Sequence, residues 1–171
     1  MLISIVIPCY NSSQTLPFVV REIREVFDEK ENYDYQLVLV NDNSPDNTYE
    51  VICQLVGEDS RLIGVDLSKN YGQASAQMAA MQYVEGEIVV FMDDDRQHPA
   101  KEMFKLIEKV KEDYDLVYAH FANKKHSLFK KCTSWLNSKV LEATNRKPKG
   151  IHTSSYFAVS GFAAKCLKNY H

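Results

Sequence analysis

Residues 88–99 read Ile-Val-Val-Phe-Met-Asp-Asp-Asp-Arg-Gln-His-Pro, an apolar run that passes directly into an acidic one. Residues 88–92 are too few for a helix and are the most apolar of the strand-like runs, which predicts a buried strand. Three adjacent carboxylates at the end of such a strand repel one another, and burial removes the water that stabilises their charged form. A divalent cation removes this conflict, and oxygen ligands favour magnesium or manganese over zinc.

Strand-like and helix-like runs alternate on both sides of this segment. We predict strands at residues 2–7, 36–40, 62–67, 88–92 and 116–119, with Pro8 closing the first. Amphipathic or small-residue helices are predicted around residues 18–27, 49–56, 74–81 and 103–110. This alternation indicates βαβ units and a parallel sheet covered by helices on both faces.

Polar clusters follow the predicted strand ends at residues 41–47, 68–72 and 93–98. In such sheets ligands bind beyond the carboxyl ends of the strands, so we expect these clusters to meet in one crevice. If the chain stays extended after residue 92, Asp93 and Asp95 point the same way and Asp94 the other. A simpler alternative is that the acids only favour the start of a helix near Pro99.

Composition narrows the function classes. The net charge of −3 argues against a nucleic-acid binder. The four cysteines lack zinc-ligand spacing, and we expect them to be reduced and buried, as in a cytosolic protein. No run approaches the ~18 apolar residues of a membrane span, and the first strand lacks the features of a signal peptide. Without a GxGxxG fingerprint or a P-loop, a dehydrogenase or a P-loop nucleotidase is not expected.

Four motifs carry a resemblance to a known family. They are Ile-Val-Ile-Pro-Cys-Tyr-Asn at 5–11, Asn-Asp-Asn-Ser-Pro-Asp-Asn-Thr at 41–48, Lys-Asn-Tyr-Gly-Gln at 69–73 and Met-Asp-Asp-Asp-Arg-Gln-His-Pro at 92–99. Their order and spacing resemble glycosyltransferase family 2, and most of all its polyprenyl-phosphate (dolichol-phosphate) sugar synthases. The resemblance covers about the first 120 residues well. It implies a GT-A fold, a Rossmann-like and mostly parallel sheet with helices on both faces.

The resemblance also implies roles for individual residues. It implies that the nucleotide is bound by four features. They are the first-strand motif, the acid that hydrogen-bonds the base, the basic residue before Asn-x-Gly, and the first acid of Asp-x-Asp. These are Pro8, Tyr10, Asn11, Asp42, Lys69 and Asp93. Asp93 and Asp95 are the implied catalytic residues and hold Mg²⁺ or Mn²⁺, with Gln97 as a further metal ligand.

Three positions depart from the family pattern. Ser12 stands where an acid usually follows Tyr-Asn, and Asn41 replaces the first acid of an Asp-Asp pair. Arg96 stands where leucine is common, and either meets a phosphate or projects into solvent. These departures leave the nucleotide of the donor open.

The implied reaction is an inverting displacement at the anomeric carbon of a nucleoside-diphosphate sugar. A cation would neutralise charge on the leaving diphosphate. A sugar hydroxyl acceptor needs a general base, whereas a lipid phosphate, with a second pKa near ~6, is already ionised. No base candidate stands out beyond the acidic loop, which favours a polyprenyl phosphate acceptor. The alternatives are a saccharide acceptor in cell-surface polysaccharide synthesis, an inactive sugar-nucleotide-binding module, and a phosphate-accepting receiver domain.

Residues 124–141 combine lysines with an apolar stripe that includes Trp135 and Leu136. Such a basic amphipathic helix can lie on an anionic membrane surface, or it can pack its stripe against the sheet. We therefore expect a cytoplasmic protein at the inner face of the cell membrane. Because related chains continue past the equivalent of His171, we expect residues 1–171 to be one catalytic domain truncated at its C-terminal side.

Overall fold

The computed structural model describes residues 1–96, 99–120 and 154–169. By its internal contacts the chain divides into two compact units, Met1–Val117 with Ser155–His171, and Tyr118–Ser154. Most of the second unit, including the predicted basic helix at residues 124–141, lies outside the described residues. A single domain over residues 1–171 stays a prediction.

Six strands form one sheet in the order β3-β2-β1-β4-β6-β5. Their bounds are β1 Leu2–Cys9, β2 Asp34–Asn41, β3 Leu62–Asp66, β4 Ile88–Phe91, β5 Leu116–Tyr118 and β6 Phe157–Ser160. The β1–β2, β1–β4 and β2–β3 pairs are parallel, whereas β6 runs antiparallel to β4. The predicted mostly parallel sheet is confirmed.

Helices cover both faces of this sheet, as predicted. Their bounds are α1 Leu16–Asp28, α2 Thr48–Glu58, α3 Gln73–Ala80, α4 Met103–Lys111 and α5 Gly161–Lys168, with a 3₁₀ turn at Ala100–Glu102 before α4. One face of the sheet packs Val6 and Val38 against small residues of α3 and α5. On the other face Phe27 of α1 contacts Tyr35 of β2 and Phe104 of α4, with ring centroids 4.9 and 5.2 Å apart.

Pro8 does not close the first strand, and the prediction that it does is wrong. β1 continues through Pro8 to Cys9, paired with β2 as far as Asn41. The carbonyls of Val6 and Cys9 accept bonds from Met92 on the β4 side and from Asp42 on the β2 side. The backbone N–H and C=O groups of successive residues in a strand point to opposite sides, so the backbone nitrogen of Pro8 points to the β4 side. On that side β4 has already ended at Phe91. The missing N–H of proline therefore costs no ladder hydrogen bond.

Two further differences from the sequence prediction concern the last strand and the cysteines. The strand β6 and the helix α5 were not predicted, and β6 separates β4 from β5 in the sheet. Cys9 is buried as expected, but Cys53 and Cys166 are exposed because they lie on outer faces of α2 and α5. None of the helices within the described ranges is both long and apolar enough to cross a membrane.

Candidate active site

A cavity of about 250 Å³ opens at the carboxyl ends of β1, β2 and β4. Its lining residues are Pro8, Cys9, Tyr10, Asp42, Gln73, Asp93, Asp94 and Asp95. The parallel register brings these chain segments together, because Cys9 pairs with Asn41 and Val6 pairs with Phe91. Five residues predicted from the motifs therefore meet here, namely Pro8, Tyr10, Asp42, Asp93 and Asp95.

The acidic loop is bent rather than extended. β4 ends at Phe91, and the backbone bends from Asp94 to Arg96, whose φ is 60°. Alternation along a strand therefore does not decide which way the three acids point. Asp93 accepts a hydrogen bond from Nε2 of Gln73 at 2.6 Å and another from the hydroxyl of Ser155. Asp95 is exposed, and all three aspartates line the cavity.

Asp94 is tied to the loop after β1 through Ser12. The buried Ser12 hydroxyl donates to the Asp94 carboxylate and accepts from the Tyr10 amide at 3.0 Å. Burial raises the pKa of Asp94, an effect that the bonds from Ser12 and from the Tyr10 backbone partly oppose. Burial and the nearby charge of Asp94 also raise the pKa of the Cys9 thiol. Ser12 stands where the family pattern has an acid, and its hydroxyl thus donates a hydrogen bond to the partly buried carboxylate of Asp94.

Asp42 is buried, and its carboxylate shapes the loop before α3. It accepts bonds from the backbone amides of Tyr71 and Gly72, each at 2.8 Å. Gly72 has a φ of 87°, a conformation that glycine adopts without strain. A carboxylate oxygen has more than one lone pair, so Asp42 can hold this loop and still accept a bond from a ligand in the cavity.

Asn41 uses both halves of its amide. Its Nδ2 donates to Asp66 at 2.7 Å, and its Oδ1 accepts from the Ser44 amide at 3.1 Å. A carboxylate at this position could accept but not donate, and it would face the charge of Asp66. Asparagine at residue 41 therefore links the end of β3 to the loop after β2.

Two predicted site residues within the described ranges, Asn11 and Lys69, are not in the cavity lining. The backbone amide of Asn11 donates to Ser44 Oγ at 3.2 Å, and its side chain is exposed. The exposed Lys69 lies with Nζ 4.9 Å from the ring centroid of Tyr71. Gln97 lies outside the described residues. The nucleotide role of Asn11 and Lys69 and the metal role of Gln97 stay predictions.

The fit to a cation depends on Asp93, Asp94 and Asp95. Within residues 1–96, 99–120 and 154–169, no group of three His, Cys, Asp or Glu side chains is arranged to hold a metal ion by itself. Mg²⁺, however, is usually held by one or two carboxylates together with substrate phosphates and water. The exposed Asp95 and the cavity-facing Asp93 provide hard oxygen donors of that kind. The site therefore fits a cation whose remaining ligands come from a bound diphosphate.

Some residues of this site were not identified from the sequence. Cys9 and Gln73 lie inside two of the quoted motifs, so their position beside predicted residues was an available signal. Ser155 binds Asp93 from a position 62 residues further along the chain, and no local pattern marks it. Arg96, for which the sequence left open a phosphate contact or projection into solvent, is exposed and lies with its guanidinium carbon 5.1 Å from the ring centroid of Phe18.

Solved structures share this fold. A mannosyltransferase from Pyrobaculum calidifontis, in complex with GDP-Man and Mn²⁺, matches 99% of this chain and 47% of its own, with a TM-score of 0.68 and 19% identity. Glucosyl-3-phosphoglycerate synthase from Mycobacterium tuberculosis, in complex with Mn²⁺, UDP-glucose and phosphoglyceric acid, matches 92% of this chain and 56% of its own, with a TM-score of 0.68 and 20% identity. The protein therefore has the GT-A fold.

The sequence narrows this class to a family. The model of glycosyl transferase family 2 matches residues 4–164, and the chain belongs to that family. The undecaprenyl-phosphate 4-deoxy-4-formamido-L-arabinose transferase of Aeromonas hydrophila is 34% identical over 156 residues, which are 91% of this chain and 46% of that protein. The chain thus spans about half the length of this relative. The family assignment made from the four motifs is confirmed.

Proposed function

We propose that the protein is an inverting glycosyltransferase that moves a sugar from a nucleoside-diphosphate sugar to a polyprenyl phosphate with the assistance of a divalent cation. The observation that carries this proposal is the cavity where Pro8, Tyr10 and Asp42 meet Asp93 and Asp95. This cavity offers the half-exposed ring of Tyr10 and the hydrogen-bond acceptor Asp42 to a nucleotide base, and it offers the carboxylates of Asp93 and Asp95 to a cation. The family and the GT-A fold support the same activity.

The donor nucleotide would lie across the cavity from Asp42 towards the acidic loop. Tyr10 is half exposed and offers a ring face to a base, while the buried Asp42 carboxylate offers an acceptor to its edge. A volume of about 250 Å³ is below the roughly 300–1,000 Å³ of complete small-molecule pockets. We therefore expect the cavity to hold part of the donor, with the sugar extending beyond it.

Asp93 and Asp95 would hold Mg²⁺ or Mn²⁺ together with the donor diphosphate. When bound, the cation supplies positive charge against the leaving nucleoside diphosphate. Gln73 and Ser155 donate to Asp93 and fix the position of its carboxylate before the donor arrives. Ser12 does the same for Asp94. The complexes of the two structural neighbours with Mn²⁺ support cation use without deciding between the two metals.

The acceptor would be a polyprenyl phosphate. An acceptor phosphate oxygen forms the bond to the anomeric carbon, and the bond from that carbon to the donor diphosphate oxygen breaks. A phosphate monoester is already largely ionised at neutral pH, so no side chain has to remove a proton. The name of the Aeromonas hydrophila relative, a transferase for undecaprenyl phosphate, supports this acceptor class.

Contact with the membrane would come from residues 124–141 on the cytoplasmic side. The support is the sequence pattern alone, a lysine-rich segment with an apolar stripe around Trp135. Attraction to anionic lipid contributes about 1 kcal/mol per basic residue near the surface. Co-sedimentation with anionic liposomes should therefore be salt-sensitive, and it should fall when Lys124, Lys125, Lys130 and Lys131 are changed to Glu.

The proposal is tested by a transfer assay with a panel of nucleoside-diphosphate sugars, Mn²⁺ or Mg²⁺, and undecaprenyl phosphate or an oligosaccharide as acceptor. We expect a glycosylated lipid phosphate with inverted anomeric configuration and released nucleoside diphosphate. Transfer only to the oligosaccharide would contradict the acceptor assignment. Nucleotide-sugar binding without transfer to either acceptor would contradict the enzymatic assignment.

A further inference from the structure

We infer that Tyr156 is a positioning residue for the cation site and that, together with Ser155, it holds both ends of the acidic loop. This inference rests on the proposed cation-assisted transfer and names the residues that set the spacing of the loop ends. The acidic loop starts at Asp93, two residues after the end of β4, and ends before Pro99. Ser155 and Tyr156 come immediately before β6.

The antiparallel pairing of β6 with β4 brings these two residues to the loop. Phe157 pairs with Phe91 at the end of the ladder. The residues before Phe157 therefore lie beside those after Phe91, which places Ser155 next to Asp93. The Ser155 hydroxyl donates to one carboxylate oxygen of Asp93, and Gln73 Nε2 donates to the other at 2.6 Å. Both oxygens are therefore fixed in place, and each keeps a lone pair for a cation.

Tyr156 reaches the far end of the same loop. Its side chain is fully buried, and its hydroxyl donates to the backbone carbonyl of Pro99 at 3.3 Å. Burial and the nearby charges of Glu102 and Glu22 raise the pKa of Tyr156, so the hydroxyl keeps its proton. The next backbone amide, that of Ala100, donates to Glu22 Oε1 at 2.9 Å. The chain that leaves the loop is thus held by the residue before β6 and by a side chain of α1.

The spacing of the loop ends affects the cation because the proposed ligands lie on this loop. Asp93 lies at its fixed start, whereas Asp95 lies in the bent part beside Arg96, whose φ of 60° is in the left-handed region. The position of Asp95 therefore depends on where the loop ends as well as on where it starts. Mg²⁺ requires oxygen ligands at about 2.0–2.1 Å in a nearly ideal geometry. Loss of the Tyr156 hydroxyl should therefore weaken cation binding.

Tyr35 offers a comparison in which the same kind of bond lies far from the loop. Tyr35 is also buried, and its hydroxyl donates to Asp59 at 3.0 Å near the amino end of the sheet. A change of either tyrosine to phenylalanine removes one buried hydrogen bond, so both changes should lower stability to a similar degree. Tyr156 contacts the residue that follows the acidic loop, whereas Tyr35 lies at the opposite end of the sheet. A change in the cation requirement should therefore appear for Tyr156 alone.

The test measures the Mn²⁺ concentration that gives half-maximal binding of UDP or GDP to the whole chain, by calorimetric titration. The variants are Tyr156→Phe, Ser155→Ala and the hydroxyl-keeping Ser155→Thr. The controls are Tyr35→Phe and Ser160→Ala, because Ser160 Oγ donates to Asp115 at 2.6 Å at the other end of β6. Each protein is also titrated with nucleotide in chelator and unfolded with urea. These measurements separate cation affinity from nucleotide affinity and from stability.

We expect Ser155→Ala to raise the required Mn²⁺ concentration about tenfold, the usual effect of losing a partner of a metal ligand. Tyr156→Phe should raise it about threefold, because Tyr156 acts through the backbone. Ser155→Thr should stay close to wild type, and the two controls should lose stability with an unchanged Mn²⁺ requirement.

An unchanged Mn²⁺ requirement in Tyr156→Phe would overturn the inference, as would an equal rise in Tyr35→Phe. Wild-type protein that binds neither nucleotide, or binds them equally well in chelator, would instead contradict the proposed function.

Discussion

At the amino end of the sheet the buried polar side chains are neutral, whereas at the carboxyl end four aspartates surround a cavity. Ser4 Oγ donates to Gln36 Oε1 at 2.7 Å and accepts from the Gly86 amide at 2.8 Å, and both side chains are buried within β1 and β2. The charges near this end, on Arg61 and Asp59, are paired at 2.9 Å. At the other end, Asp42, Asp93, Asp94 and Asp95 converge on the same space.

This difference separates the residues that stabilise the fold from those available to a ligand. A neutral network whose donors and acceptors are satisfied adds stability and leaves little capacity for binding. Clustered carboxylates cost free energy in the folded protein and become favourable when a cation joins them. Changes at the amino end should therefore alter stability, while changes at the carboxyl end should alter nucleotide and cation binding.

The largest expected effect is at Gly86, in the neutral network. A Cβ at this position would lie 2.4 Å from the backbone nitrogen of Ser4 and 2.9 Å from its Oγ. Because Ser4 belongs to a central strand and cannot move aside, Gly86→Ala should lower the free energy of unfolding by about 3 kcal/mol. Urea unfolding measures this, with Gly57→Ala in α2 as the control, since no atom lies within 4 Å of its added Cβ. Equal stability of Gly86→Ala and wild type would contradict the role of this network.

The next effect concerns Asp42 at the carboxyl end. Asp42→Ala should weaken the binding of UDP or GDP by about 1–3 kcal/mol, because a base edge would lose its partner. Calorimetric titration measures the change, and circular dichroism checks that the fold is intact. Asp28→Ala at the exposed end of α1 is the control, because it removes the same charge from a residue outside the cavity lining. An unchanged Kd in a folded Asp42→Ala protein would remove Asp42 from the nucleotide site.

A smaller effect is expected at Ser12, which joins the two loops of the site. Ser12→Ala removes the donor to Asp94 and should cost about 1–2 kcal/mol of stability. Ser12→Asp should cost more, because it sets a second carboxylate against Asp94. Thermal unfolding of the two variants decides this. If Ser12→Ala is as stable as the wild type, the hydrogen bond from Ser12 does not hold the acidic loop, and if Ser12→Asp is as stable as Ser12→Ala, the expected repulsion is absent.

The smallest expected effect concerns the loss of stability at acid pH that comes from the paired Asp59 and Arg61 at the amino end of the sheet. Hydrogen bonds from Arg61 lower the pKa of Asp59, and burial raises the pKa of its partner Tyr35 to about 12. The lowered pKa adds stability above the unfolded value of about 3.9, and this stability is lost as the pH falls further. Asp59→Asn should remove roughly 1 kcal/mol of the stability lost between pH 5 and pH 2.

Unfolding curves across that pH range test this expectation. Asp28→Asn at the exposed end of α1 gives the same change in net charge and serves as the control. An acid dependence that is the same for Asp59→Asn and Asp28→Asn would contradict the assignment.

Much of the difference between the two ends of the sheet could be predicted from the sequence, because it follows from local patterns. The apolar runs that predicted β1 to β4 came within a few residues of their bounds, and the turn residues after them marked the crevice. β6 could not be predicted, because four residues at Phe157–Ser160 carry no signal for antiparallel pairing with a strand more than 60 residues earlier. The bonds from Ser12 and Ser155 to the acidic loop span 82 and 62 residues and depend on the completed sheet.

The most direct test of the central claim is the titration of UDP and GDP into the protein with Mn²⁺ and, separately, with a chelator. The carboxylates at the carboxyl end should repel a diphosphate alone and bind it through the cation. We therefore expect the affinity to fall at least about tenfold when the metal is removed. Asp95→Asn should weaken the dependence on the metal. Equal affinity with Mn²⁺ and with chelator would contradict the account of the acidic loop as a cation and diphosphate site.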